Sequence, residues 1–160
     1  MTVHRTMAVA AAAFAVMFSS GTAAADPIAP QVNTPCPPDA AGAATQPADA
    51  KMPLVCSGDS WQAVTAPQPP NDHWLSVGPP ISLNGNGRQN PDVQSGDWTA
   101  TPRSAGTRCR AEQTTVLGPG VLAAPEVSEG APGERVDVTF QPRLFKLQLS
   151  GDCLWTRTGV

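Results

Sequence analysis

The chain has 160 residues, a formal net charge of −3, 14% charged residues, four tryptophans, four phenylalanines and no tyrosine. That is one domain at most, and its acidic balance argues against a nucleic-acid binder, whose footprint is basic, and against a polybasic membrane anchor. Beyond residue 25 the only histidine is His73, so chemistry that needs a histidine pair within one processed chain is excluded as well.

Residues 1–25 read as an export signal. Met1–Thr6 is short and carries Arg5, Met7–Phe18 is an unbroken apolar run, and small residues ending in Ala23-Ala24-Ala25 precede Asp26-Pro27. A basic start, a short apolar run and an Ala-x-Ala exit mark a secretory signal. As a helix this run would rise about 18 Å, short of the roughly 30 Å hydrocarbon core of a bilayer. The expectation is cleavage near Ala25 on a Sec-type route, a secreted or envelope-associated product, and no membrane span after signal removal. All 18 prolines and 13 of the 14 glycines lie beyond Ala25, which points to an abundance of loops.

Residues 26–53 form a Pro/Ala-rich arm with almost nothing large to bury, expected to be extended or mobile and stapled at Cys36. Residues 54–160 are expected to form a disulfide-stapled β-domain. The four cysteines Cys36, Cys56, Cys109 and Cys153 all lie past the signal. An even count in an exported chain reads as two disulfides. Of the three pairings, Cys36–Cys56 with Cys109–Cys153 is preferred. The first would close a segment too polar and broken to hold itself, and the second would tie one strand to the last. Zinc sites want close pairs such as Cys-x-x-Cys, and none is present, so no metal and no cofactor is expected.

Leu54–Thr65 is the first stretch with strand character, broken by Pro67, Pro69 and Pro70. Trp74–Leu83 reads as a strand interrupted at Pro79-Pro80, hence an edge or bulged strand, because proline cannot donate to a ladder. Asn84-Gly85-Asn86-Gly87 predicts a tight reversal, since Asn-Gly pairs favour the positive φ of hairpin turns. Val93–Thr101 and Thr107–Leu117 are two further strands, and Gly118–Gly133 reads as a loop. Val136, Val138 and Phe140 alternate, Pro142 turns the chain, and Phe145, Leu147 and Leu149 alternate again, the period-two signature of half-buried strands. Cys153–Thr158 is the last strand. The fold class expected is all-β, with about six to eight short strands in a small sandwich or partly closed barrel.

Ser-Gly-Asp occurs three times, each time followed closely by tryptophan: Ser57-Gly58-Asp59 before Trp61, Ser95-Gly96-Asp97 before Trp98, and Ser150-Gly151-Asp152 before Trp155. Glycine supplies a φ that other residues resist and aspartate bonds nearby backbone, so each triplet turns the chain into a strand. Trp98 and Trp155 are read as core plugs. Trp61 and Trp74, beside proline-rich loops, are the candidate binding residues, available to stack on a sugar or a flat apolar ligand.

Gly58-Asp59-Ser60 resembles the nucleophile block of a family of secreted lipases and esterases. That family needs an Asp-x-x-His block near its C-terminus, which is absent, and Ser60 with His73 is rejected as a catalytic pair. Asp59, Asp72, Asp97 and Asp152 are candidates for a carboxylate-dependent hydrolase only because they lie near tryptophans, and a turn role already explains three of them. Arg108-Cys109-Arg110 reads as the solvent side of a strand.

The signal end Ala-Ala-Ala-Asp-Pro, the Pro/Ala-rich arm and the block Gly96-Asp97-Trp98-Thr99-Ala100-Thr101-Pro102 up to Cys109 resemble a group of small exported proteins of mycobacteria and related actinobacteria. The resemblance covers the style of the whole chain and one block near its middle. It implies export to the envelope or medium and transfers no catalytic residue. The function expected is a secreted, non-enzymatic β-domain that binds a cell-envelope glycan or protein. Its alternatives are a structural or antigen-like protein with no dedicated ligand, and the carboxylate hydrolase.

Overall fold

Alternation of apolar and polar residues over short runs, cut repeatedly by Pro and Gly, gives strands rather than helices, and the structure is a two-sheet β-sandwich. A computed structural model describes residues 28–48, 50–66 and 68–159. The expected signal and its cleavage point lie outside the described residues. The strands are β1 (Ala44–Thr45), β2 (Leu54–Ser57), β3 (Ser60–Ala63), β4 (His73–Ser76), β5 (Ile81–Asn84), β6 (Gly96–Pro102), β7 (Arg110–Gly118), β8 (Val121–Leu122), β9 (Glu126–Glu129), β10 (Val136–Phe140), β11 (Leu144–Ser150) and β12 (Cys153–Arg157), with one 3-10 turn at Pro38–Ala40. A wide sheet has the order β10-β6-β12-β4-β1-β2-β3, and a narrower one has the order β5-β11-β7-β8, with β9 also on β7. Among the described residues only β1 and β4 pair in parallel.

From β4 onward the chain changes sheet at nearly every connection. Pro79-Pro80 therefore does not interrupt one strand. It carries the chain from β4, inside the wide sheet, to β5, on the edge of the narrow one. The Asn84–Gly87 expectation is also corrected. β5 and β6 belong to different sheets, and neither Gly85 nor Gly87 has a positive φ. These glycines are needed for close approach. A side chain at Gly85 would run into Leu144, and a Cβ at Gly87 would lie 2.7 Å from the Arg143 carbonyl oxygen. Their amides bond Phe145 O (3.2 Å) and Leu144 O (2.7 Å), extending the β5–β11 ladder. Leu54–Thr65, expected as one strand, is a hairpin whose turn residues Gly58 and Asp59 have φ of 55° and 70°. The glycines of all three Ser-Gly-Asp triplets have positive φ, at 55°, 124° and 89°. The expected loop Gly118–Gly133 contains β8 and β9.

The interior between the sheets is built from the inward positions of the alternating strands. It holds Trp98, Trp155, Phe140, Leu144, Leu147, Leu149 and Ile81, among others. Trp98 and Phe140 pack with ring centroids 5.2 Å apart. One aromatic is displaced from its expected phase. The β7–β11 register slips between Leu144 and Lys146. Leu144 thus takes the core position, while Phe145 is only half-buried, with the Arg88 guanidinium 4.8 Å from its ring. Among the described residues one buried side-chain nitrogen, Arg157 Nε, has no partner, and the polar groups of the core are paired. Ser76 Oγ donates to Gly151 O at 2.8 Å and accepts the Trp155 indole N–H at 2.9 Å. Gln113, on β7, donates to Thr139 O (3.3 Å) and accepts the Gln141 amide (3.0 Å), closing the β10 edge against the other sheet. Ser76→Ala is expected to cost about 1–3 kcal/mol in chemical denaturation, because it strands a buried indole donor.

A second apolar cluster lies on the outer face of the wide sheet, formed by Leu54, Cys56, Trp61, Leu75 and Val77 with Cys36, Ala40 and Ala43. Of the segment expected as an extended or mobile arm, residues 33–45 are instead built into the fold, while Ile28 is 91% exposed. β1 sits between β4 and β2, the 3-10 turn buries Ala40, and residues 33–36 cover the β3 edge through backbone bonds such as Trp61 N to Thr34 O at 2.9 Å. Covering an edge strand in this way removes a template for unwanted pairing.

Both disulfides pair as expected, Cys36 with Cys56 and Cys109 with Cys153. The first pins the arm over the outer cluster. The second joins the residue just before β7 to the first residue of β12 and so crosses between the sheets. Such bonds suit an oxidising, extracellular compartment. Among the described residues no helix is long and apolar enough to cross a membrane.

Candidate functional site

The two sheets differ in width, and a cleft arises where the wider one overhangs. On the inner face of the overhang, register places Trp74 (β4), Ala44 (β1) and Val55 (β2) side by side. No strand of the narrow sheet covers this row fully. Loops wall it instead, leaving a cleft of about 480 Å³, within the usual range for small-ligand and side-chain pockets.

The walls come from three places. Met52 and Pro53 precede β2, the segment from Val64 to Asn71 links β3 to β4, and Asn90, Pro91 and Asp92 belong to the β5–β6 connection. Pro53, Pro69, Pro70 and Pro91 have φ locked by their rings, so these walls lose little freedom on meeting a ligand. Asn71 ties the parts together. Its side-chain amide donates to Gly42 O (3.1 Å), its side-chain carbonyl accepts the His73 amide (2.8 Å), and its backbone amide donates to Asp92 O (3.0 Å). Asp92 in turn accepts the Asn84 amide at 2.8 Å. The Trp74 indole N–H is already committed to Asn71 O at 3.1 Å, so the buried ring backs the cleft without a free donor.

Of the two candidate binding residues, only Trp74 borders this cleft, and it does so as a floor with 2% of its surface exposed. Trp61 is equally buried and lies in the outer cluster, against the arm. Neither ring stands free as a surface stacking platform. All four tryptophans are core residues, because the domain has few other large apolar groups to fill its two cores. What the sequence reading missed is the wall, above all Met52, Pro53 and Val64. Its one visible sign was the proline cluster after residue 66, read there only as a strand break.

The carboxylates are scattered. Asp59 occupies the β2–β3 turn, Asp72 lies 3.7 Å from Arg157, Asp152 lies 3.4 Å from Arg103, and Asp97 accepts the Thr139 hydroxyl at 2.7 Å. Ser60 and His73 sit on β3 and β4 with two strands between, roughly 14 Å apart at ordinary strand spacing. Ser60 Oγ accepts the Gln62 amide instead. Arg108 and Arg110 both reach Glu129, at 3.8 and 3.6 Å, while Cys109 between them points inward. Among the described residues no group of three or more His, Cys, Asp or Glu side chains could hold a metal ion. No family model, curated protein or solved structure matches the chain.

Proposed function

We propose that the protein is an exported, non-enzymatic binding domain, and that the Trp74-floored cleft receives an extended apolar segment of an envelope protein. The observation that carries this reading is the cleft itself, a space of about 480 Å³ with an aromatic floor and prolines on three walls. Rigid, aromatic- and proline-lined grooves suit extended peptide side chains. A glycan is the weaker occupant. A pyranose stacks on an open ring face, and Trp74 is 2% exposed with its indole N–H already bonded within the protein.

The test is a titration of purified protein with short extended peptides of apolar and proline-rich sequence and, separately, with cell-wall polysaccharide. Tryptophan fluorescence is the readout. Met52→Asp, which puts a charge on an exposed wall residue, serves as the blocked variant. Peptide is expected to shift the emission of the wild type and not of Met52→Asp, with affinity lowered roughly tenfold or more. A response to polysaccharide alone would replace the peptide by a glycan. No response to either would overturn the binding reading.

A further inference from the structure

We infer that the β7–β8 hairpin is a docking device for an anionic lipid surface. From Gln113 to Pro125 the chain carries no charged residue. Its turn, Gly118-Pro119-Gly120, is flanked by Leu117, Val121 and Leu122, which are 61%, 53% and 45% exposed. These three are among the few large apolar side chains that the described residues leave in solvent, and they cluster about one turn. The tip stands clear of the rest of the protein, since a Cβ built at Gly118 or at Gly120 meets nothing within 4 Å.

Its backbone is suited to a dry environment. Val116 pairs with Leu122, Gly118 pairs with Val121 across a bulge at Leu117, and the Ala123 amide bonds Thr115 O at 2.9 Å. Paired backbone is what entry into the headgroup and acyl boundary demands, because water is scarce there.

Charge supplies the choice of occupant. Arg103, Arg108, Arg110 and Arg157 are all in ion pairs with carboxylates. Five cations are in none among the described residues, Lys51, Arg88, Arg135, Arg143 and Lys146, and of these Arg88, Arg143 and Lys146 lie at the hairpin's end of the narrow sheet. The Arg143 carbonyl accepts the Val116 amide, Lys146 pairs with Thr114, and Arg88 packs on Phe145, the next residue. The nearest carboxylates along the chain, Glu112 and Glu126, bound the uncharged stretch from below, and Glu112 is tied to Arg110 at 2.7 Å. An apolar tip with unpaired cations behind it matches acyl chains with anionic headgroups above them. A second copy of this chain matches less well. A two-fold contact would set each tip against its own image and bring the same cations face to face.

The experiment is flotation of the purified protein with vesicles of phosphatidylcholine alone and with vesicles that also contain phosphatidylglycerol. Leu117→Asp and Arg143→Glu are compared with wild type, both at exposed positions where the melting temperature checks that the fold is kept. The wild type is expected to float with the anionic vesicles and to be released by salt. Each variant is expected to bind roughly tenfold or more weakly. Failure to bind anionic vesicles, or equal binding by wild type and Leu117→Asp, would overturn the proposal. So would a concentration-dependent dimer in sedimentation that Leu117→Asp abolishes, which would assign the hairpin to a second copy. None of these outcomes depends on the Trp74 cleft.

Discussion

Replacing Cys109 and Cys153 together by alanine is expected to lower unfolding stability by about 4 kcal/mol, the loop-entropy value for a 44-residue closure. A small domain is usually stable by only about 5–15 kcal/mol, so this is a large share. The reason lies in the topology. Because the chain crosses repeatedly between the sheets, the Cys109–Cys153 bond links two ends that the unfolded chain would otherwise have to find, and both sulfurs are fully buried. Replacing Cys36 and Cys56 is expected to cost about 3 kcal/mol for its 20-residue closure. Its effect should also be more local. Amide exchange should rise along Ala43–Ser57, where the arm lies over the outer cluster, while β10–β12 stay protected. Equal loosening of both regions would contradict the division into two packed layers.

Trp155→Ala is expected to cost about 3–5 kcal/mol, the usual penalty for emptying an aromatic site in a packed core. Trp155 has no exposed surface, and its ring centroid lies 6.5 Å from that of Phe140, which contacts Trp98 in turn. The same change removes the donor that Ser76 accepts. Urea titration checks the size of the loss, and near-ultraviolet circular dichroism should lose the signal of the aromatic cluster. Trp61→Ala removes a ring of the same size from the outer cluster. It should therefore weaken the arm and β2–β3 before it weakens the sandwich. A Trp155→Ala loss below about 1 kcal/mol would mean that this ring is not packed as described.

Much of the fold was legible because it rests on local periodicity. Val136, Val138 and Phe140 point inward as alternation requires, and so do Leu147 and Leu149. The disulfide pairing was legible because only one pairing gave each segment a reason to be closed. The arm was misjudged because its buried residues are small. Ala40, Ala43 and Ala44 vanish into the two clusters while contributing little to any hydrophobic count. The β8 and β9 strands were hidden by the Gly and Pro that flank them, and Phe145 was misplaced because a register slip leaves no mark in composition. The cleft depends on one sheet being wider than the other, which is a property of pairing between distant segments. The hairpin cations were hidden for a related reason. The net charge is negative over the whole chain, and only the fold gathers Arg88, Arg143 and Lys146 at one end.

Thermal melting of the purified protein with and without reductant, together with a thiol count on the native material, tests the central claim that sulfur cross-links hold these two packed layers in place. The account predicts no free thiol before reduction and a melting temperature lowered by at least about 10 °C after it. Four free thiols, or a melting temperature indifferent to reductant, would contradict it.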